Sequence, residues 1–277
     1  MDYGGTGLCF ADGASSSRPC LASWSVFAVC MSAILERSVI TSGVPTRRCI
    51  AVRHPDWEKV VSAAARLQRH FPDAVLVGGT AASVHCGHRL SRDADHVLTD
   101  LRERFDEVLS DLESVAGWQT ARIRPPVLIL GSLDGIETGI RQLMRSRPLE
   151  TVEMPCRGES VVVPTLEETL RIKAVLILKR NALRDYVDFI ALSSGLGNNG
   201  TVEAMVPFDE MYPQENGQSA TQQLLAQLAN PLPADLGHEG TRVFRSLAKD
   251  LREWNAVRDR CKSVAVALFD GLAGPKG

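Results

Sequence analysis

The sequence has no apolar run long enough to cross a membrane. The longest, LASWSVFAVCMSAIL from Leu21 to Leu35, is fifteen residues and carries three serines, whereas a helical span needs roughly twenty. It also makes a poor signal peptide, because the stretch before it is long and holds Asp2 and Asp12. These exclusions lead to the expectation of a cytoplasmic protein with no membrane partner. The seven cysteines are odd in number and include no CxxC pair, and Cys9, Cys20, Cys30 and Cys49 fall in the first fifty positions. Neither a disulfide framework nor a zinc site follows from that pattern. A basic balance is missing too: 31 Lys and Arg against 33 Asp and Glu leave a net charge of −2. Any polyanion must therefore be met by a local patch, not by the whole surface.

What is present is material for a sizeable core, with 277 residues of which 44% are hydrophobic and 23% charged. Residues 1–50 carry no convincing fold signal and are expected to be a poorly ordered extension, with Met31 a candidate true start. Regular patterning begins at His54. HPDWEKVVSAAARLQRHF has Pro55 at a first helical position and apolar residues at Trp57, Val60, Val61, Ala64, Leu67 and Phe71, one stripe of a helix. DAVLVGG then reads as a buried strand ended by glycines, TAASVHCG as a short helix closed by Gly87, and DADHVL as a second strand. DLRERFDEVLSDLESVA is the next helix.

WQTARIR, PVLILG, GIETGIRQL and ESVVVP are separated by turn-formers such as Pro125, Pro126 and Asp134-Gly135, which predicts adjacent antiparallel strands. From Thr165 the pattern turns helical. Thr165 and Glu168 form a capping box before LRIKAVLILKRNALRDYVDFIALSSG. Gly195 to Gly200 read as a linker, and further helices are expected near SATQQLLAQLA and over GTRVFRSLAKDLREWNAVRDRCKSVAVALFDGL. The expectation is an α/β (α+β) fold: a mixed sheet flanked by helices over residues 51–164, followed by a helical domain over 165–277.

Chemistry concentrates first at Gly78, Gly79 and Thr80. Glycines between a strand and a helix let backbone N–H groups approach a phosphate, and the helix N-terminus adds a favourable dipole. Thr80 offers a hydroxyl. The pair is part of no GxGxxG and no Gly-Lys-Ser/Thr, and a Gly-Gly turn is equally a packing device. Asp93 and Asp95 stand one residue apart on a strand, so both carboxylates share a face. Such a pair suits Mg²⁺, or is simply a solvated strand edge. A third carboxylate is expected on a neighbouring strand. Glu137 is the choice, since it follows a hairpin turn and shares a face with Gly139 and Arg141; Asp134 reads as the turn residue and Glu153 as the second choice.

Lys173, Arg180, Arg184 and Asp188 are spaced seven, four and four apart and fall along one side of a helix. They form either a basic stripe for a triphosphate or an exposed face with Arg184 paired to Asp188. His85, His88 and His96 fit no zinc spacing and read as surface groups or as residues behind the carboxylates. Cys86 reads as a small helix hydrophobe.

Together, LVGGTAASVHCGHRLSRDADHVL, the strand with Glu137 and the helix with Lys173, Arg180 and RDYVD resemble the AbiEii-type nucleotidyltransferases of the DNA polymerase β-like superfamily. The resemblance covers about residues 55–195. It maps the family's Gly-Gly-Thr/Ser turn to Gly78, Gly79 and Thr80, its arginine to Arg89, its metal-binding aspartates to Asp93 and Asp95, and its later Lys, Arg and Arg-Asp positions to Lys173, Arg180, Arg184, Asp185 and Asp188. This chain departs from the family in having Ala94 and His96 where apolar residues are usual. The resemblance implies a nucleotidyltransferase that uses Mg²⁺ or Mn²⁺ and an NTP, with Asp93, Asp95 and Glu137 as catalytic metal ligands. The acceptor would be an RNA, for example a tRNA 3′ end, or a protein hydroxyl, and a toxin would have a cognate antitoxin as partner. A catalytically inactive nucleotide-binding or interaction module with the same fold, and a helical partner-binding protein, are the competing readings.

Overall fold

In the computed structural model the described residues are Val52, 54–145, 147–215 and 217–272. The expectations for residues 1–50 lie outside them. Helix α1 (Pro55–His70) begins where Pro55 occupies the first turn and the His54 side chain accepts from the Asp56 N–H. Its apolar stripe, including Trp57, Val60, Val61, Ala64 and Leu67, is buried. Strand β1 (Val75–Leu76), helix α2 (Gly78–Cys86) and strand β2 (Ala94–Leu98) follow, with Gly87 closing α2 in the left-handed region. Helix α3 spans Phe105–Ser114. It starts later than its apolar pattern suggests, because Arg104 is tied back to Asp100 in a preceding turn.

Strands β3 (Trp118–Arg124), β4 (Leu128–Leu133) and β5 (Ile136–Gln142) form the expected antiparallel meander. Asp134 and Gly135 both adopt positive φ, 51° and 78°, as a tight hairpin turn requires. Strand β5 then pairs parallel to β2, giving a mixed sheet of order β1-β2-β5-β4-β3. ESVVVP does not join it. As β7 (Glu159–Pro164) it pairs with β6 (Thr151–Cys156), a strand the sequence pattern did not announce, in a separate two-stranded sheet. Cys156 is disulfide-bonded, which the cysteine spacing did not foretell.

Thr165 caps α4 (Leu166–Arg180) by accepting from the Glu168 N–H at 3.1 Å. The long helix expected here is two. Asn181 takes a left-handed conformation (φ 49°, ψ 40°) and ends α4, and α5 (Leu183–Met205) starts anew. Asparagine tolerates that conformation, and distant groups hold it: Asn181 Nδ2 donates to Leu232 O at 2.7 Å, while Oδ1 accepts from Gln227 at 2.8 Å. The expected linker from Gly195 to Gly200 is instead a kink within α5 at Gly197 (φ 70°). Helices α6 (Phe208–Met211), α7 (Ala220–Ala229) and α8 (Trp254–Leu272) follow. Residues 240–251, expected to be helical, form two short 3₁₀ turns, with Gly240 and Ser246 at positive φ.

Helices α1 and α3 cover one face of the five-stranded sheet, burying Leu98, Ile129, Leu133 and Ile140. A second cluster joins α1, β1, β2 and the β6-β7 sheet, and a third lies almost wholly among α4, α5, α7 and α8. The opposite face of the five-stranded sheet stays open.

His96 belongs to the covered face. It is fully buried, with only the backbone of Ala64, Ala94 and Gly139 as polar neighbours of the ring. Burial pulls its pKa down to about 4, so it serves as a neutral core residue at the apolar position of β2, not as a surface group. The ring charges more readily unfolded than folded, so its contribution is intact above pH ~6.5 and is lost as pH falls toward 4. The loss is about 3 kcal/mol. His96→Leu should flatten the fall in Tm between pH 6.5 and 4; an unchanged pH dependence would argue against the burial-driven shift.

Candidate active site

The open face of the sheet forms one wall of a cleft of about 1120 Å³, and α4, α5 and the segment around Phe244 complete it. Gly78, Gly79, Arg89, Asp93, Asp95, Glu137, Lys173, Arg180 and Arg184 all line this cleft. Thr80 does not. It is fully buried, and its hydroxyl donates to the Asp93 carbonyl, so it acts on the site by holding the main chain of Asp93. The expectation of a phosphate-binding hydroxyl is corrected accordingly.

Helix α2 opens at Val77 with no side-chain cap and no acidic residue in its first turn. Its first N–H groups, which have no intrahelical acceptors, belong to residues that line the cleft, Gly78 and Gly79. Gly78 has φ 77°, and a Cβ there would lie 4.0 Å from Asp95 Oδ2. At Gly79 a Cβ would overlap the Arg89 guanidinium and lie 2.7 Å from Ser91 Oγ. Because Arg89 is pinned (below), it cannot swing away. Gly79→Ala should cost roughly 1–3 kcal/mol, as overpacking does, and a melting curve identical to wild type would refute the close fit.

The β2 backbone is anchored by Val77 N–H donating to Asp95 O at 2.8 Å, and Ser91 Oγ donates to Asp93 Oδ1 at 2.6 Å. Burial raises the Asp95 pKa; Arg141, 3.7 Å from its carboxylate, opposes the shift, and the negative charge of Asp93 adds to it. Two carboxylates held together with like charge, oxygen donors facing a cleft, are a fitting seat for Mg²⁺ or Mn²⁺, which takes one or two carboxylates and fills its remaining positions with water and phosphate. Glu137 sits on the adjacent strand and lines the same cleft. Yet among the described residues no group of three His, Cys, Asp or Glu side chains converges as a metal-binding set. Asp93 and Asp95, with Glu137 beside them in the cleft, are therefore a candidate metal seat in which the third carboxylate does not converge among the described residues.

The cations divide into two sets. Arg89, Lys173 and Arg180 are engaged by two fully buried carboxylates. Asp188 receives Arg89 Nε at 2.6 Å and Nη2 at 2.9 Å, Lys173 Nζ at 2.7 Å and His88 Nε2 at 2.7 Å. Asp185 receives Lys173 at 3.3 Å and Arg180 at 2.5 and 2.7 Å. Burial pushes the Asp188 carboxyl up, but Arg89 and Lys173 outweigh it and hold it well below the usual range. Burial lowers the His88 pKa, against the opposing pull of Asp188. Asp188 is thus not the partner of Arg184, and Lys173, Arg180 and Arg184 do not share one continuous helix. The break at Asn181 brings Arg184 into the cleft from α5.

Sequence reasoning missed Arg92, Arg122 and Arg245, which also line the cleft. With Arg184 they are exposed and form no ion pair among the described residues. Arg245 arrives on a strap fastened to the loop before β2: Leu90 N–H donates to Arg245 O at 3.0 Å and Ala248 N–H to His88 O at 2.7 Å. The Arg89 guanidinium lies 5.5 Å over the Phe244 ring. No local pattern could reveal this strap, because its partners lie some 155 residues earlier. Eight cationic side chains line the cleft against three carboxylates, a balance that draws in polyanions.

The family described as "Nucleotidyl transferase AbiEii toxin, Type IV TA system" matches residues 62–267. Among curated proteins, the heme uptake protein MmpL11 of Mycobacterium tuberculosis is 30% identical over 235 residues, covering 78% of this chain and 23% of the relative. The mycolic acid-containing lipids exporter MmpL11 of Mycolicibacterium smegmatis is 30% identical over 220 residues, covering 78% of this chain and 22% of the relative. The chain thus spans less than a quarter of the length of these relatives, and among the described residues no helix is long and apolar enough to cross a membrane. Among solved structures, a putative nucleotidyltransferase from Helicobacter pylori is similar, with 14% identity, a TM-score of 0.45, and coverage of 80% of this chain and 97% of that one.

Proposed function

The chain belongs to the AbiEii family of nucleotidyl transferase toxins, and from that premise we propose that it moves a nucleotidyl group from an NTP to a hydroxyl of an RNA or protein acceptor. The observation that carries this reading is the meeting, in one cleft, of the Asp93 and Asp95 carboxylates, the uncapped start of α2 at Gly78 and Gly79, and a surplus of cations. Asp93 and Asp95 would hold Mg²⁺ or Mn²⁺, which supplies Lewis-acid polarisation of the phosphoryl oxygens when bound. The N–H groups of Gly78 and Gly79 cradle the triphosphate. Glu137 takes the proton of the acceptor hydroxyl as its oxygen bonds to the α-phosphorus. The bond from that phosphorus to pyrophosphate breaks, and the leaving charge is met by Arg184 at the cleft surface.

Arg89 and Lys173, bound to internal carboxylates, position this machinery more than they contact phosphate. As the toxin of a pair, the chain would have an antitoxin that covers this cleft. The test is incubation with each labelled NTP, Mg²⁺ and total RNA or protein. Label in an acceptor, absent with the Asp93→Ala, Asp95→Ala variant, supports transfer. NTP binding without transfer to any acceptor supports instead an inactive nucleotide-binding module, the reading favoured by the absence of a third converging carboxylate among the described residues.

A further inference from the structure

The register of the sheet joins Asp95 to its far edge in a single row. Asp95 is paired with Gly139, Gly139 with Leu130, and Leu130 with Arg122. Directly paired residues point to the same face of a sheet, so Arg122 stands on the face that carries Asp95. The row takes three inter-strand steps of about 4.8 Å, a path of roughly 14 Å. Arg124, paired with Leu128, lies two residues on and shares that face. Both arginines are exposed on the edge strand β3 and form no ion pair among the described residues.

Between Asp95 and Arg122 the row itself carries no charge, while Glu137 and Arg141 stand on either side of it on β5. That stretch consists of Gly139, where a Cβ would overlap Ile129 O at 2.5 Å, and the side chain of Leu130. A strip of Gly139 and Leu130 that runs from the Asp95 carboxylate to two guanidinium groups without ion pairs among the described residues suits a single-stranded nucleic acid, whose backbone follows a positively charged groove.

We propose that this row is the acceptor track: an RNA strand places its terminal hydroxyl at Asp93, Asp95 and Glu137 and carries its phosphodiester chain across β5 and β4 to Arg122 and Arg124. The proposal rests on the transfer reading for the direction of the strand, but not for the binding. Arg122 and Arg124 are positioning residues for the acceptor, separate from the nucleotide groups at Gly78 and Arg184.

The test measures binding of a labelled single-stranded RNA with a free 3′ hydroxyl over a series of salt concentrations. Wild type, Arg122→Ala/Arg124→Ala and Arg122→Lys/Arg124→Lys are compared, and Mg²⁺-NTP affinity is measured alongside without RNA. For single strands the slope of log K against log salt changes by about 0.7 per phosphate contact. The alanine variant should therefore bind RNA more weakly, with a slope shallower by about 1.4, while the lysine variant keeps the wild-type slope and all three bind NTP equally. An unchanged RNA slope, loss of NTP affinity in the alanine variant, or label that passes to protein with no dependence on Arg122 and Arg124 would each overturn the proposal. An arginine-dependent slope in a protein that transfers no label would uphold the track and remove the transfer reading.

Discussion

Asp188→Ala is expected to destabilise the protein by about 3–5 kcal/mol, the usual cost of stripping a buried ion cluster of its counter-charge. For a domain of this size that is roughly 6–20 °C in Tm. Asp188 is fully buried and takes four polar contacts, from both forks of Arg89, from Lys173 and from His88. Without it, the guanidinium of Arg89 and the ammonium of Lys173 stay in a low-dielectric interior with less than their full complement of partners. Lys173 retains Asp185 at 3.3 Å; Arg89 retains only a marginal 3.5 Å contact to Leu90 O among its hydrogen bonds.

The folded-state pKa of Asp188 is depressed, so its contribution is present above the ordinary carboxylate pKa and disappears as pH falls through the folded value. The variant should therefore also lose stability less steeply in acid than wild type does. Thermal melts of both proteins at neutral pH and across the acid range give the answer. A variant within 1 °C of wild type would show that Asp188 is dispensable. The consequence extends to the cleft, since Arg89 is the side chain against which Gly79 is fitted and over which Phe244 lies.

The Asp93→Ala, Asp95→Ala variant is expected to behave in the opposite way, folding normally and losing transfer. Neither carboxylate is fully buried, and the Asp93 carbonyl and Asp95 carbonyl that Thr80 and Val77 hold are backbone groups the substitution leaves in place. Removing two like charges from one desolvated corner relieves repulsion, so Tm should stay level or rise slightly. On the proposed reading, activity falls because the metal seat disappears. Charge stabilisation by a metal is worth several kcal/mol, which amounts to a loss on the order of a thousandfold in kcat/KM. The discriminating measurement is label incorporation at saturating NTP beside a melting curve. Residual transfer within tenfold of wild type would place the chemistry elsewhere.

Much of the candidate site could be read from the sequence because its parts obey local rules. The strand, glycine pair, short helix and second strand around Leu76–Leu98 follow from composition and period, and the spacing of Asp93 and Asp95 by two residues already puts them on one face. Asp134-Gly135 announces its hairpin, and Thr165 with Glu168 announces the start of α4. The pattern puts Glu137 on a strand, β5, that pairs with β2, but strand assignment says nothing about whether a carboxylate converges on its neighbours.

What the sequence by itself determined, then, was most of the elements from α1 to β5 and the shared face of Asp93 and Asp95, since periods of two and 3.6 are set by backbone geometry alone. Only the tertiary structure decided which charges remain available. Arg89 and Asp188 are 99 residues apart, and no local pattern distinguishes an arginine that will be neutralised in the core from one, such as Arg122, left exposed at a sheet edge. The same holds for the break at Asn181 and the strap from Gly240 to Leu251, each held by hydrogen bonds to distant backbone. Helical propensity is worth well under 1 kcal/mol per residue, so a few such contacts suffice to override it.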